Sequence, residues 1–219
     1  MATFTATAGS SSTIGYAQYG STSWNTGTTN GACQGAYQGT SSSNSRVGVL
    51  VFSGAGAALQ GKLIQQITLK ITSSGAGSSG SSKVLSFRKA VYQSLKTGIK
   101  GSAQVGTALG TLTGKFYSNT VTHTLSASSN ACLFAAMKAY FEAGNSVLVL
   151  YNGETSSSSG YSSNYARVTT CVITVTYIDA VVWYNNGGTW QQCTVWYCSN
   201  GTWIQCVPYY NSGGSWIRV

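Results

Sequence analysis

Acidic side chains are scarce in this sequence, which has three Asp or Glu among 219 residues but 12 Lys or Arg, a formal net charge of +9. The carboxylates are Glu142, Glu154 and Asp179, and the single imidazole is His123. A glycosidase needs two carboxylates that flank the scissile bond, and no G-x-S-x-G motif supports a Ser-His-Asp hydrolase. We therefore expect a protein that is not an enzyme, with no catalytic residues and no cofactor.

Long apolar runs are also absent, because no stretch approaches the ~20 residues that cross a bilayer as a helix. The opening segment MATFTATAGS has neither the basic region nor the apolar run of a secretory signal peptide. These absences predict a chain without membrane insertion and without a signal peptide.

The six cysteines lack the spacing of a metal site. Cys193, Cys198 and Cys206 form no C-x-x-C pair and have no nearby His, so we expect no bound metal. Disulfides are not expected either, because nothing directs the chain to an oxidising compartment. The expected core thiols are Cys33, Cys132 and Cys171.

Proline occurs once, whereas Gly, Ser, Thr, Tyr and Val are abundant, a composition that favours strands and turns. A hydrophobic fraction of 42% suffices for a packed core. In the last strand candidate, alternation places Val168 with Val172 on one face and Cys171 with Ile173 on the other. A turn is expected at 53–57 and a connection at 93–114. The expected strands are 3–8, 14–19, 46–52, 63–72, 84–92, 147–151 and 167–178.

One segment, ACLFAAMKAYFEA at 131–143, has helical spacing, because Leu133, Met137 and Tyr140 recur at i, i+4 and i+7. It predicts one short helix at about 130–143, on which Glu142 is solvated. A helix before the penultimate strand of an antiparallel set fits an all-β fold of jelly-roll type. We therefore expect a jelly-roll β-sandwich over residues 1–178.

Several strand motifs carry a family resemblance. The pair SRVGVLVF (45–52) and IQQITLKIT (64–72), and the later pair SVLVLYNGE (146–154) and YARVTTCVITVTY (165–177), resemble the DNRLRE-type jelly-roll domains over most of residues 1–178. The acidic residues usual in that family are largely missing here. The resemblance implies a sandwich like a carbohydrate-binding module or a virion-associated domain, without catalysis.

The last 39 residues are three blocks of thirteen: VVWYNNGGTWQQC (181–193), TVWYCSNGTWIQC (194–206) and VPYYNSGGSWIRV (207–219). Gly-Gly or Asn-Gly at 187–188, 200–201 and 213–214 predicts two-residue turns, so that each block is one β-hairpin. We expect the six short strands to form a thin aromatic sheet. The residues expected to pack within it or against other subunits are Trp183, Trp190, Trp196, Trp203, Tyr209 and Trp216.

A second resemblance rests on these repeats. Aromatic hairpin repeats that end in SWIRV are similar to the tails of phage and prophage structural proteins. The resemblance implies a tail, fibre or appendage protein of a virion. Because two wide aromatic faces need partners, we expect a homo-oligomer, with a trimer favoured, that contacts other virion proteins.

Aromatic residues set among Ser, Asn and Gly are candidates for ligand binding, because such loops build adaptable recognition surfaces and aromatic rings stack on sugars. These candidates are Trp24, Tyr37, Tyr161 and Tyr165. Basic residues are spread singly along the chain, so we expect them to face solvent and expect no nucleic-acid partner.

The favoured function is a non-enzymatic structural protein on the exterior of a phage virion, made in the bacterial cytoplasm. As a tail fibre, baseplate or head appendage it would contact the host surface by binding a glycan. Two alternatives stay open. One is a purely structural capsid decoration or tail component without a ligand, and the other is a carbohydrate-binding module of a bacterial surface protein.

Overall fold

The fold was analysed in a computed structural model of the chain. It describes residues 1–75, 81–156 and 160–179. Of the C-terminal repeats it describes residues 182–186, 188–193, 196–199, 201–205, 209–212 and 215–218.

The described elements alternate short strands with two short helices, α1 (Ala55–Leu59) and α2 (Ala131–Glu142). The strands before the repeats are β1 (Ala2–Ala8), β2 (Ile14–Gln18), β3 (Trp24–Thr26), β4 (Ala32–Gln34), β5 (Arg46–Val51), β6 (Leu63–Ser74), β7 (Lys83–Ala90), β8 (Val105–Gly114), β9 (Thr120–Leu125), β10 (Val147–Leu150) and β11 (Ala166–Ile178). The strands of the repeats are β12 (Val182–Asn186), β13 (Thr189–Cys193), β14 (Trp196–Ser199), β15 (Thr202–Gln205), β16 (Tyr209–Ser212) and β17 (Ser215–Arg218).

Two antiparallel sheets form the body of the fold. One has the order β1-β11-β6-β9, with β4 also paired to β11, and the other has the order β3-β2-β5-β10-β7-β8. The long pairing of β6 with β11 runs from Leu63 opposite Ile178 to Ser74 opposite Arg167. The arrangement confirms the predicted all-β sandwich with a short helix before the penultimate strand.

The main core lies between the sheets. In β6, Ile67, Leu69 and Ile71 are buried while the residues between them are not, so alternate side chains of this strand face the core. Helix α2 covers one side of this core by packing on α1, β6, β8 and β9, with its Phe141 ring edge-on to Phe52 at 6.4 Å.

A second apolar layer, the outer layer, covers the other face of the six-stranded sheet. Its buried residues are valines of β5 and β10 with Ala90 of β7. The partly buried residues that cover it are Tyr19, Trp24, Leu95, Val105 and Tyr151. The connection expected at 93–114 therefore contains both a covering segment and strand β8.

Several local predictions were wrong. A β-bulge between Val168 and Thr170 shifts the alternation of β11, so Val168 is buried with Cys171 and Ile173 instead of lying with Val172. The turn expected at 53–57 contains the start of α1. Strand β9 was not predicted because its residues are mostly exposed and polar, as on an outermost strand.

The predicted helix at 130–143 is confirmed by α2, but two predictions about its side chains were wrong. Cys132 is exposed, not a core thiol, whereas Cys33 and Cys171 are buried. Glu142 is not solvated, because its side chain is 9% exposed and its carboxylate accepts hydrogen bonds from Ile64 N (2.8 Å) and Lys138 Nζ (2.6 Å).

The three predicted hairpins are confirmed in the described backbone. Asn186 pairs with Thr189, Ser199 with Thr202, and Ser212 with Ser215, so each turn contains two residues. Gly188 and Gly201 have φ values of +93° and +79°, as these turns require. Among the described residues of the repeats, each strand pairs only within its own hairpin, so the expected single sheet is not observed there.

Gly48 of β5 provides a test of the sandwich. A Cβ at this position would lie 2.8 Å from Cys33 N and 2.9 Å from Ala32 C, which are backbone atoms of β4. We expect Gly48→Ala to lower the free energy of unfolding by about 1–3 kcal/mol through overpacking. The control is Gly9→Ala, whose Cβ would meet only side-chain atoms at 3.3 Å or more. Equal denaturation midpoints for the two variants would contradict the close crossing of β4.

Candidate functional site

Three of the four aromatic residues predicted to bind a ligand come together at one end of the sandwich. The Tyr37 and Tyr161 rings lie 4.4 Å apart between centroids, inclined at 31°, and are 36% and 41% exposed. The Tyr165 ring lies 4.5 Å from that of Tyr161 but is 3% exposed. The exposed pair, called here the tyrosine platform, can contact a ligand, and Tyr165 supports it from below.

The fourth candidate, Trp24, lies elsewhere. It belongs to β3 and packs on the outer layer. Its indole Nε1 donates a hydrogen bond to Ile99 O at 2.9 Å. Its place in this layer therefore gives Trp24 a packing role, separate from the tyrosine platform.

Backbone hydrogen bonds join the two loops that carry the platform. Ser162 N donates to Ala36 O (2.8 Å), and Gln38 N donates to Gly160 O (3.0 Å). Between them, Tyr37 and Tyr161 form an isolated antiparallel bridge. Gly35 is required where the loops meet, because its φ is +79° and a Cβ would lie 2.8 Å from Tyr165 Cα.

The Glu154 carboxylate fixes the loop that follows Tyr161. It accepts hydrogen bonds from Asn164 N (2.9 Å), Asn164 Nδ2 (2.6 Å) and Ser163 Oγ (3.1 Å). Burial raises the pKa of Glu154, but hydrogen bonds led by those of Asn164 outweigh it and hold the pKa below its ordinary value of 4.5. From the sequence, Glu154 was named only as one of the three carboxylates, so this role was missed.

Two buried polar side chains connect this loop to the sheets. The Gln34 amide nitrogen donates to Val84 O (2.6 Å) and Asn164 O (3.0 Å), and its oxygen accepts from Ser86 N (2.8 Å). Lys83 is also buried and donates from Nζ to Ser163 O at 2.8 Å. The expectation that basic side chains face solvent was therefore wrong for Lys83.

Two arginines adjoin the tyrosines. Arg167 pairs across the ladder with Cys33, and Arg46 N donates to Gly35 O at 2.6 Å. The Arg46 guanidinium lies 5.0 Å from the centre of the Tyr16 ring, and Tyr16 packs on the small buried cluster of Cys33 and Tyr165. Arg46 is the first residue of β5 and Arg167 is the second residue of β11. Each follows a polar loop closely, in SRVGV and YARVT, a sequence signal that could have singled them out.

The Cys33 thiol lies at the centre of this group. The Tyr165 hydroxyl donates to Cys33 Sγ at 3.6 Å. Burial raises the pKa of Cys33, although the hydrogen bond from Tyr165 and the charges of Arg167 and Arg46 act in the opposite direction. The thiol is thus held protonated in a buried position, which makes it a packing group.

The remaining groups considered for catalysis lie in separate parts of the fold. Glu142 binds Lys138, and Asp179 forms an ion pair with Lys62 at 2.5 Å. His123 of β9 lies near the Phe116 ring, and burial lowers its pKa below 6.5. Within the described ranges, no three His, Cys, Asp or Glu side chains are grouped as metal ligands, and no described helix is long and apolar enough to span a bilayer.

The predictions for the aromatic repeats stay open. The side chains of Trp183, Trp190, Trp196, Trp203, Tyr209 and Trp216 lie outside the described part of the chain.

Comparisons with known proteins add no family to this description. No family model matches the chain, and no curated protein matches it. The geometry of the site therefore indicates its chemistry: an exposed pair of tyrosines, held by buried polar groups and adjoined by two arginines.

Glu154 provides a test of how the platform is held. We expect Glu154→Gln to lower the free energy of unfolding at neutral pH by about 1 kcal/mol, because a neutral amide cannot accept all three hydrogen bonds and the site is partly exposed. A lowered pKa in the folded state stabilises the fold above pH 4.5, and this contribution is lost as pH falls through the folded pKa. Between pH 7 and pH 3, the free energy of unfolding measured by denaturation should fall less steeply in the variant than in the unsubstituted protein. Parallel curves would contradict the role of Glu154.

Proposed function

We propose that this chain is a non-enzymatic glycan-binding protein of the exterior of a phage particle, where it contacts the host surface through Tyr37 and Tyr161. The observation that carries the proposal is the exposure of two adjacent tyrosine rings in a fixed loop pair. Sugars present C–H faces to aromatic rings, and a tyrosine also offers a hydroxyl for hydrogen bonding.

The platform is organised before any ligand arrives. Tyr165 packs beneath Tyr161, and the Glu154 and Gln34 networks fix the loop on which Tyr161 stands. The residue after Tyr37, Gln38, has a φ of +50°, a conformation that is uncommon outside glycine and often found at functional sites. A rigid site loses less entropy when it binds.

The structural partners of the carboxylate side chains support the proposal that the function is non-enzymatic. Each of the three in the sequence has a structural partner: Lys138 for Glu142, Asn164 for Glu154 and Lys62 for Asp179. Hydrolysis of a glycosidic bond needs two carboxylates that face one bond. Adjacent tyrosines can hold a sugar but supply no such pair.

Placement on a phage particle is supported by the C-terminal repeats. Three hairpins of the same length and turn position follow the sandwich, and a two-stranded hairpin is marginally stable alone. We propose that the repeats associate in a trimer and join the protein to other virion components.

The tyrosine platform is tested by alanine substitution. Tyr37→Ala and Tyr161→Ala should each weaken binding to a host cell-wall or capsular glycan about tenfold, because each removes a stacking face. The control is Tyr92→Ala, which removes a ring of similar exposure (38%) away from the platform. Binding is measured on a glycan array and on whole host cells. A protein that is incorporated into particles but binds neither would instead be a purely structural component.

Oligomerisation is tested by light scattering. The full chain should have three times the monomer mass of 22.8 kDa, and removal of residues 181–219 should give monomers. A full chain that is monomeric at micromolar concentration would contradict the trimer.

A further inference from the structure

The charges around the tyrosine platform are not balanced within the described part of the chain. Its two salt bridges are Lys62–Asp179 and Lys138–Glu142, and the remaining carboxylate, Glu154, binds Asn164 and Ser163. Arg46 and Arg167 therefore have no carboxylate partner among the described residues, although they adjoin the same cluster.

Both arginines also have an unused donor. The Nε atoms of Arg46 and Arg167 are buried and have no hydrogen-bond partner among the described residues. A buried donor without a partner destabilises the folded state, and native structures retain few of them. By contrast, Arg88 uses its Nε to donate to Tyr151 O at 3.1 Å.

The two arginines and the platform are connected through Tyr165. Arg167 follows Tyr165 by two residues and pairs with Cys33, while Arg46 bridges to Gly35 and so lies beside the same short segment. The ring of Tyr165 contacts that of Tyr161, and its hydroxyl reaches Cys33. A ligand held on the platform is thus one tyrosine ring away from the region of the two guanidinium groups.

We propose that Arg46 and Arg167 bind an oxyanion carried by the glycan, so that the ligand of this site is an acidic sugar. The inference rests on the proposed glycan-binding function. Guanidinium groups bind carboxylate and phosphate by paired, charge-assisted hydrogen bonds, and such a group would supply the acceptors that both Nε atoms lack. A uronic acid and a sugar phosphate share this chemistry.

The test uses the Nε–H signals of the four arginines in the NMR spectrum of the full chain. The full chain is titrated separately with glucuronate, glucose 6-phosphate and glucose at constant ionic strength. Each sugar is added up to roughly a hundred millimolar, because single sugars bind weakly. We expect saturable shifts of the Arg46 and Arg167 signals with at least one acidic sugar and none with glucose. Arg88 is the internal control, because its Nε already has a partner.

The three titrations separate the possible sources of the oxyanion. A response to glucuronate alone assigns a carboxylate, a response to glucose 6-phosphate alone assigns a phosphate, and responses to both assign either oxyanion. The inference is overturned if neither acidic sugar gives a saturable shift, or if Arg88 shifts as much as Arg46 and Arg167. The inference would also be overturned if a single-stranded oligonucleotide shifted the Arg46 and Arg167 signals and bound more tightly than the acidic sugars, because the ligand would then be a nucleic acid.

Substitutions complete the test. Arg46→Gln and Arg167→Gln should each weaken binding of the responding acidic sugar at least tenfold, whereas Arg88→Gln should leave it unchanged. If a glutamine variant does not fold, Arg46→Lys and Arg167→Lys keep the charge but lose the paired donors, and should still weaken binding several-fold.

If neutral glycans bind the platform while acidic sugars do not reach the arginines, this inference fails and the proposed function stands. If Tyr37→Ala and Tyr161→Ala also leave all glycan binding unchanged, the proposed function fails.

Discussion

The candidate site depends on the way in which the three residues of β4 are held at one end of the sandwich. Backbone atoms of Ala32 and Cys33 lie against Gly48, where no side chain would fit. The next residue, Gln34, is buried and its amide joins β7 to Asn164. Because a buried amide must have its hydrogen bonds satisfied, this contact fixes the distance between the sheet and the loop that carries Tyr161.

Because acidic residues are scarce, the two arginines at this site have no carboxylate side chain to neutralise them. Each carboxylate side chain supports the fold: Glu142 binds the start of β6, Glu154 binds the loop after Tyr161, and Asp179 pairs with Lys62. None of them neutralises Arg46 or Arg167. Two arginines without a carboxylate partner, beside a rigid pair of tyrosines, suit the acidic sugar proposed as the ligand, since stacking and charge act on different parts of one ligand.

Sequence reasoning was accurate where the signal was local. The spacing of Leu133, Met137 and Tyr140 identified α2, and the Asn-Gly at 200–201 identified a hairpin turn. It failed where distant residues decide burial. Cys132 lies on α2 yet is exposed, Lys83 is charged yet buried, and the bulge after Val168 reverses the facing of one residue. Contacts with a partner strand decide where a bulge or a buried cation occurs. The periodicity of a single strand contains no information about those contacts.

The sequence by itself determined the class of fold, the helix, the hairpin turns and the lack of acidic residues, because these follow from spacing and composition. It also named Tyr37, Tyr161 and Tyr165 as candidates from the composition of their loops. Only the tertiary structure decided that these three lie together, that Trp24 does not, and that Arg46 and Arg167 adjoin them. The reason is physical: residues more than a hundred positions apart meet only when β4 pairs with β11.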